Sequence, residues 1–111
     1  MGAYTRTYSR TTHNVLAILG GQIRLARKQR KMTEADLAAR IGIARSTVQL
    51  IEKGNPKVEI GLVFEATSLV GVPLFDPEPA RLTSHLSHIE DKLALLPRSI
   101  RQPRVEVKDD F

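Results

Sequence analysis

The chain has 111 residues, a net charge of +5 at pH 7 and no cysteine. This length is enough for one ordinary domain with tails and too short for two. The lack of cysteine excludes disulfides, thiolate metal sites and a cysteine nucleophile and is typical of a cytoplasmic protein, and no apolar run is long enough to span a membrane.

The positive charge is concentrated in the first half of the chain. Residues 1–57 hold eleven Lys and Arg against three acids, whereas residues 58–97 hold two against six. A one-sided basic field favours binding to a phosphate backbone but carries no sequence information. The distribution therefore favours a polyanion-binding face within residues 1–57, and a merely solvated surface is the alternative.

The start of the chain predicts a flexible arm. Residues 1–12 are polar and rich in threonine, and Arg6 and Arg10 alternate with tyrosines. These arginines either reach along a nucleic acid or belong to a loose chain end.

A first helix is expected after the arm. Thr12 and Asn14 can each cap its start, and the apolar pattern continues to about Lys28. Gly20 and Gly21 each weaken a helix by about 1 kcal/mol relative to alanine, so a start after them is the alternative. The side chains expected to point inward are those of Val15, Ile18, Leu19, Ile23 and Ala26.

Residues 33–54 predict two short helices joined by a tight turn. Thr33 and Asp36 have the spacing of a capping box, with Asp where Glu or Gln is usual. Gly42 permits the left-handed conformation that ends the first helix, and a second helix is expected over residues 45–52. The expected apolar contacts come from Leu37, Ala38, Ile41, Ile43, Val48 and Ile51.

The exposed side of the second helix offers groups that can read base edges in a major groove. This recognition face consists of Arg45, Ser46, Thr47, Gln49 and Leu50. Arg45 can donate two hydrogen bonds to guanine, Gln49 can pair with adenine, and Leu50 can meet a thymine methyl. The predicted phosphate contacts are Lys53, Asn55 and Lys57, together with the backbone amides near them. The alternatives are an ordinary helical hairpin and a protein-interaction module that does not bind DNA.

Residues 19–72 carry a family resemblance, which covers about half of the chain. The matching positions are Ile23, Arg24, Arg27, Leu37, Ala38, Gly42, Ile43, Ser46, Thr47, Val48 and the run Ile51-Glu52-Lys53-Gly54. This pattern resembles the lambda-repressor-like XRE family of helix-turn-helix regulators. The resemblance implies an all-α fold of four to five helices with a DNA-binding domain over residues 13–76. It also implies that Arg27 pairs with Glu52 in a structural role.

Two positions depart from the family pattern. The family commonly has Gln where this chain has Glu34, and that Gln helps to grip a phosphate. A carboxylate cannot donate a hydrogen bond and repels a phosphate, so this contact is in doubt here. Ala44 stands where Ser or Thr often caps the recognition helix, so we expect its start to depend on the preceding turn.

The segment after Pro56 predicts a helix that closes the core and stops at Gly71. Its expected inward positions are Ile60, Val63, Phe64, Thr67 and Val70. After a proline-rich break, residues 77–96 predict a further helix from about Ala80 to Leu95. Its apolar residues are spaced four, three, four and three apart: Leu82, Leu86, Ile89, Leu93 and Leu96. This heptad-like seam predicts a homodimer, and packing against the chain's own domain is the alternative.

The last segment, residues 97–111, has two prolines and mixed charge, so we expect a flexible tail. Its apolar anchors are Ile100, Val105, Val107 and Phe111. An XRE domain followed by a short helix and a basic tail ending in DDF resembles HipB-type antitoxins. This resemblance implies a dimer that represses its own promoter at a palindromic operator and binds a HipA-like serine/threonine kinase toxin. A general XRE regulator without a toxin partner is the alternative.

Nothing in the sequence predicts catalysis, a cofactor or a metal site. His85 and His88 are three residues apart on the last helix, but no third ligand accompanies them. No glycine-rich phosphate loop follows a strand, and no order of Ser, His and Asp suggests a nucleophile. We therefore expect a binding protein and not an enzyme.

Overall fold

A computed structural model describes residues 7–74 and 78–99. These residues form five helices and no strand, which confirms the predicted all-α fold. The helices are α1 (Arg10–Gln29), α2 (Glu34–Ile41), α3 (Arg45–Glu52), α4 (Ile60–Val70) and α5 (Pro79–Ala94). None of them is long and apolar enough to cross a membrane. Arg6 of the predicted arm and the apolar anchors of the predicted tail lie outside the described residues.

Helix α1 begins earlier than the sequence suggested. Ser9 caps it, and the Ser9 hydroxyl accepts a hydrogen bond from the Thr12 backbone N–H at 3.1 Å. Residues 10–12, assigned to the flexible arm, are therefore helical. The helix also runs through both glycines without a break, so the alternative start after them is wrong.

Close packing explains the glycine at position 20. Gly20 is buried, and a Cβ atom there would lie 2.6 Å from the backbone oxygens of both Ile51 and Glu52. Gly54, which follows α3, is packed equally closely against α1. Its φ is +74°, and a Cβ atom there would lie 2.7 Å from the backbone oxygen of Leu16. Helix α1 therefore crosses directly against the C-terminal end of α3.

Helices α1 to α4 enclose one core. Its buried apolar residues are Ile23, Leu37, Ala38, Val48, Ile51, Ala66 and Val70. Two expected inward residues of α1 are wrong, since Val15 is 55% and Ile18 61% exposed. The inward side of α1 carries Leu16, Leu19 and Ile23. Leu16 is partly buried, and it lies two helical turns before Ile23.

The sequence also placed Phe64 and Ile60 of α4 in the core, and both assignments are wrong. Phe64 is 42% exposed and Ile60 70% exposed. Helix α4 is apolar on nearly every side, so its periodicity did not indicate which side faces inward. The core takes Ala66, Thr67 and Val70 instead, and Phe64 lies at the exposed border of this side of the helix.

The chain consists of two compact units, of which the first ends at Leu74 and the second contains α5. Helix α5 has a proline in its first turn and no buried residue. It ends at Ala94, with Leu95 as its C-cap, so Leu96 lies beyond the helix. The seam on the helix therefore has four members and not five. These four, Leu82, Leu86, Ile89 and Leu93, are all exposed, and we refer to them as the leucine seam.

Candidate nucleic-acid interface

The turn between α2 and α3 is set by local hydrogen bonds. The Thr33 hydroxyl accepts from the Asp36 backbone N–H at 3.0 Å, and the Asp36 carboxylate accepts from the Thr33 backbone N–H at 2.9 Å. These two bonds confirm the expected capping box, and they hold the pKa of Asp36 below its ordinary value. Gly42 ends α2 with a φ of +85°, as expected. Ala44 precedes α3 without a capping side chain.

A buried ion pair fixes α3 against α1. The Arg27 guanidinium donates to Glu52 through two nitrogens, Nε at 2.6 Å and Nη2 at 2.9 Å. Its remaining nitrogen, Nη1, donates to the Met32 backbone oxygen at 2.9 Å, just before α2 begins. The hydrogen bond to Glu52 raises the pKa of Arg27. Since both side chains are buried and their polar atoms are satisfied, this pair is a structural contact between α1 and α3.

The opposite side of α3 carries the recognition face. Burial of Val48, Ile51 and Glu52 turns the other side of the helix outward. Arg45, Ser46 and Leu50 are exposed, whereas Thr47 and Gln49 are half-buried. The Arg45 side chain is 67% exposed, whereas a buried Arg45 would have favoured the alternative of a protein-interaction module that does not bind DNA.

Two of these side chains are already held by an acid on α2. The Glu34 carboxylate oxygen Oε1 accepts from Arg45 Nε at 3.1 Å and from Gln49 Nε2 at 3.0 Å. Its other oxygen, Oε2, lies 4.0 Å from Arg27 Nη2. The hydrogen bonds from Gln49 and Arg45 hold the pKa of Glu34 below its ordinary value.

Glu34 stands out in the sequence as a departure from the family pattern, but these contacts of its carboxylate were not predicted. No local pattern indicated these contacts, because they depend on the start of α2 lying close to α3 in the folded chain.

In the segment after α3, the side chains are available to bind a phosphate, but the backbone N–H groups are not. The backbone N–H of Lys53 donates to Gln49, that of Asn55 to Leu50, and that of Lys57 to the Asn55 side-chain oxygen at 2.8 Å. The expected phosphate grip by nearby backbone amides is therefore wrong for these three residues. Their side chains remain: two ammonium groups, and the Asn55 amide nitrogen, which can only donate.

An open cleft of about 250 Å³ separates the first helix from the recognition face. Its lining residues are Arg24, Glu34, Gln49, Glu52 and Lys53. The exposed guanidinium of Arg24 and the exposed ammonium of Lys53 both border this cleft. Arg24 was not predicted as an interface residue, because in the sequence it is one of several cations on α1.

Comparison with known proteins identifies a similarity to helix-turn-helix domains. Residues 23–75 match a family model described as helix-turn-helix, which spans α2, α3 and α4. This similarity supports a DNA-binding transcriptional regulator of the helix-turn-helix kind. No curated protein and no solved structure is significantly similar to the chain.

Proposed function

We propose that the protein is a sequence-specific transcriptional repressor that reads the major groove with α3. The observation that carries this proposal is the division of α3 into a buried side, anchored by Glu52, and an outward side rich in hydrogen-bonding groups. A helix presented in this way by a preceding helix and a tight turn fits a major groove.

The side chains divide into two kinds of contact. Arg45 and Gln49 read guanine and adenine, Ser46 and Thr47 bond to bases or phosphates, and Leu50 packs on a thymine methyl. Lys53 and Lys57 neutralise phosphates, and Asn55 donates its amide to a phosphate oxygen. The two groups have different signatures, since base contacts set sequence preference and phosphate contacts set affinity for all sequences.

A binding-site selection experiment tests this division. Arg45→Ala is expected to relax the preference at one base position, because each good base contact discriminates by about 1–3 kcal/mol. Lys53→Ala is expected to weaken all sequences alike and to lower the salt slope by about 0.9 for each lost phosphate contact. Arg40→Ala is the charge-matched control, since Arg40 lines a different cleft with Lys31. An unchanged preference in Arg45→Ala contradicts the base-reading role.

We further propose that the repressor acts as a homodimer through the leucine seam. The proposal is supported by four exposed apolar side chains on a helix with no buried residue. Two recognition helices would then lie about 34 Å apart on a palindromic operator. Leu86→Asp combined with Leu93→Asp is expected to shift sedimentation to the monomer and to abolish tight operator binding. A wild-type chain that remains a monomer at micromolar concentration and binds a single half-site contradicts the dimer.

The finer proposal is an antitoxin of the HipB type that also holds a HipA-like serine/threonine kinase. It is supported by the resemblance of the tail, residues 97–111, and by the apolar anchors within that tail. The test compares the full chain with one that ends at Leu96, in operator binding and in co-purification with the product of the neighbouring gene. The proposal is supported if the shortened chain no longer co-purifies with the kinase but still binds the operator. Equal co-purification removes the tail from the contact, and the absence of a kinase partner leaves a general regulator.

A further inference from the structure

Glu34 contacts both side chains that we assign to base reading. One of its carboxylate oxygens accepts hydrogen bonds from Arg45 and from Gln49, at 3.1 and 3.0 Å. These two donors are one helical turn apart on α3, whereas Glu34 belongs to α2. A single acid on the supporting helix therefore sets the position of two groups on the recognition helix before any ligand arrives.

The contact leaves Arg45 with the donors that guanine needs. Only Nε of Arg45 is engaged by Glu34, and its two terminal nitrogens meet no acceptor within the described part of the chain. Guanine presents two acceptors, O6 and N7, to the major groove. A guanidinium held along one edge keeps a planar pair of donors for them and loses less conformational freedom on binding.

The contact also fixes which way the Gln49 amide faces. A carboxylate only accepts, so Gln49 must turn its nitrogen toward Glu34, at 3.0 Å. The amide then keeps one N–H donor and its oxygen as an acceptor. Adenine requires this combination, since its N7 accepts and its N6 donates.

The negative charge of Glu34 has a second effect on the same surface. It lies in the cleft bordered by Arg24 and Lys53, close to where a phosphate backbone would pass. A carboxylate there repels phosphates of every sequence, so it lowers non-specific affinity.

We propose that Glu34 is a specificity-determining positioning residue: it orients Arg45 and Gln49 toward bases and penalises binding to DNA that offers only phosphates. This inference rests on the proposed function. The two effects have separate physical origins. The orientation of Arg45 and Gln49 comes from the carboxylate oxygen as a hydrogen-bond acceptor, and the penalty on phosphates comes from the negative charge. Two substitutions can therefore separate them.

The experiment uses Glu34→Ala and Glu34→Gln in the full chain. Both are measured against a selected operator duplex and a scrambled duplex at the same salt concentration. Glu34→Ala removes acceptor and charge, so we expect tighter binding to the scrambled duplex and about a tenfold loss of discrimination at the Arg45 base position. Glu34→Gln removes the charge but keeps a neutral acceptor, so non-specific binding rises equally while base discrimination is partly retained.

Glu65→Gln is the matched control, because Glu65 is an exposed acid on α4 outside the cleft. It loses the same charge and is expected to leave base preference unchanged. If Glu34→Ala keeps the wild-type preference at every base, the inference is wrong.

A measurement without DNA separates failure of the inference from failure of the proposed function. NMR of the DNA-free chain should show an ordered Arg45 Nε–H and Gln49 side-chain amide in the wild type, and both should become mobile in Glu34→Ala. Unchanged order in Glu34→Ala overturns the positioning role even if the protein binds DNA. Ordered side chains in a protein that selects no sequence overturn the proposed function, and the specificity role with it.

Discussion

The two adjacent glycines of α1 should respond to alanine with opposite signs. At Gly21 a Cβ atom would meet nothing within 4 Å, so Gly21→Ala gains helix propensity without a clash. The expected gain is about 1 kcal/mol, which raises the Tm of a domain of this size by about 4–8 °C. At Gly20 the same gain is opposed by two backbone oxygens only 2.6 Å from the added atom.

In Gly20→Ala, the cost of the steric clash should exceed the gain in helix propensity. Overpacking costs about 1–3 kcal/mol, and the upper part of this range applies because backbone oxygens cannot turn aside as a flexible side chain can. Gly20→Ala is therefore expected to lose about 1–2 kcal/mol net, so that the two variants differ by about 2–3 kcal/mol.

Urea unfolding followed by circular dichroism measures both variants. It should be repeated at two protein concentrations, because association makes apparent stability depend on concentration. If Gly20→Ala is as stable as Gly21→Ala, then α1 does not cross against the end of α3 in the way described.

Three further predictions concern the domain that carries the interface. Arg27→Met leaves Glu52 buried without its partner, so we expect a loss of about 3–5 kcal/mol in urea unfolding; adding Glu52→Leu should restore much of it, and no restoration would contradict the buried pair. Lys31 has a left-handed φ of +58°, so Lys31→Gly should stabilise the chain by up to about 1 kcal/mol in thermal unfolding, and a loss would argue against this backbone conformation. The folded-state pKa of Asp36 lies below its ordinary value of 3.8, so its ionised form stabilises the folded chain above that pH, and this contribution is lost as the pH falls through the folded-state pKa. Asp36→Asn should therefore be less stable than wild type at neutral pH and nearly equal to it in acid, and a constant difference across this range would contradict the assignment.

Signals that act within a few residues were predictable from sequence. The capping box of Thr33 and Asp36 and the left-handed Gly42 fix the ends of α2 through bonds between near neighbours. The core position of Val48 and Ile51 followed from helical spacing. These features located the two helices of the motif and the outward side of the second.

Features that depend on tertiary contact were not predictable. Helix α4 is apolar nearly all round, so only packing decides that Phe64 faces outward. Gly20 weakens an isolated helix, and the reason for a glycine there, room for the backbone of α3, is visible only in the packed structure. The contacts of Glu34 likewise require knowing that the start of α2 faces the start of α3, which no local pattern states.

The internal bonding of the backbone after α3 has a consequence for how the protein would search DNA. The N–H groups of Lys53, Asn55 and Lys57 are used within the chain, so the proposed phosphate contacts would come from side chains, chiefly those of the two lysines. An ammonium on a flexible stem follows a phosphate through a shift of register more easily than a fixed amide does. Movement along non-specific DNA should therefore meet low barriers, and the protein should stop only where the bases satisfy α3.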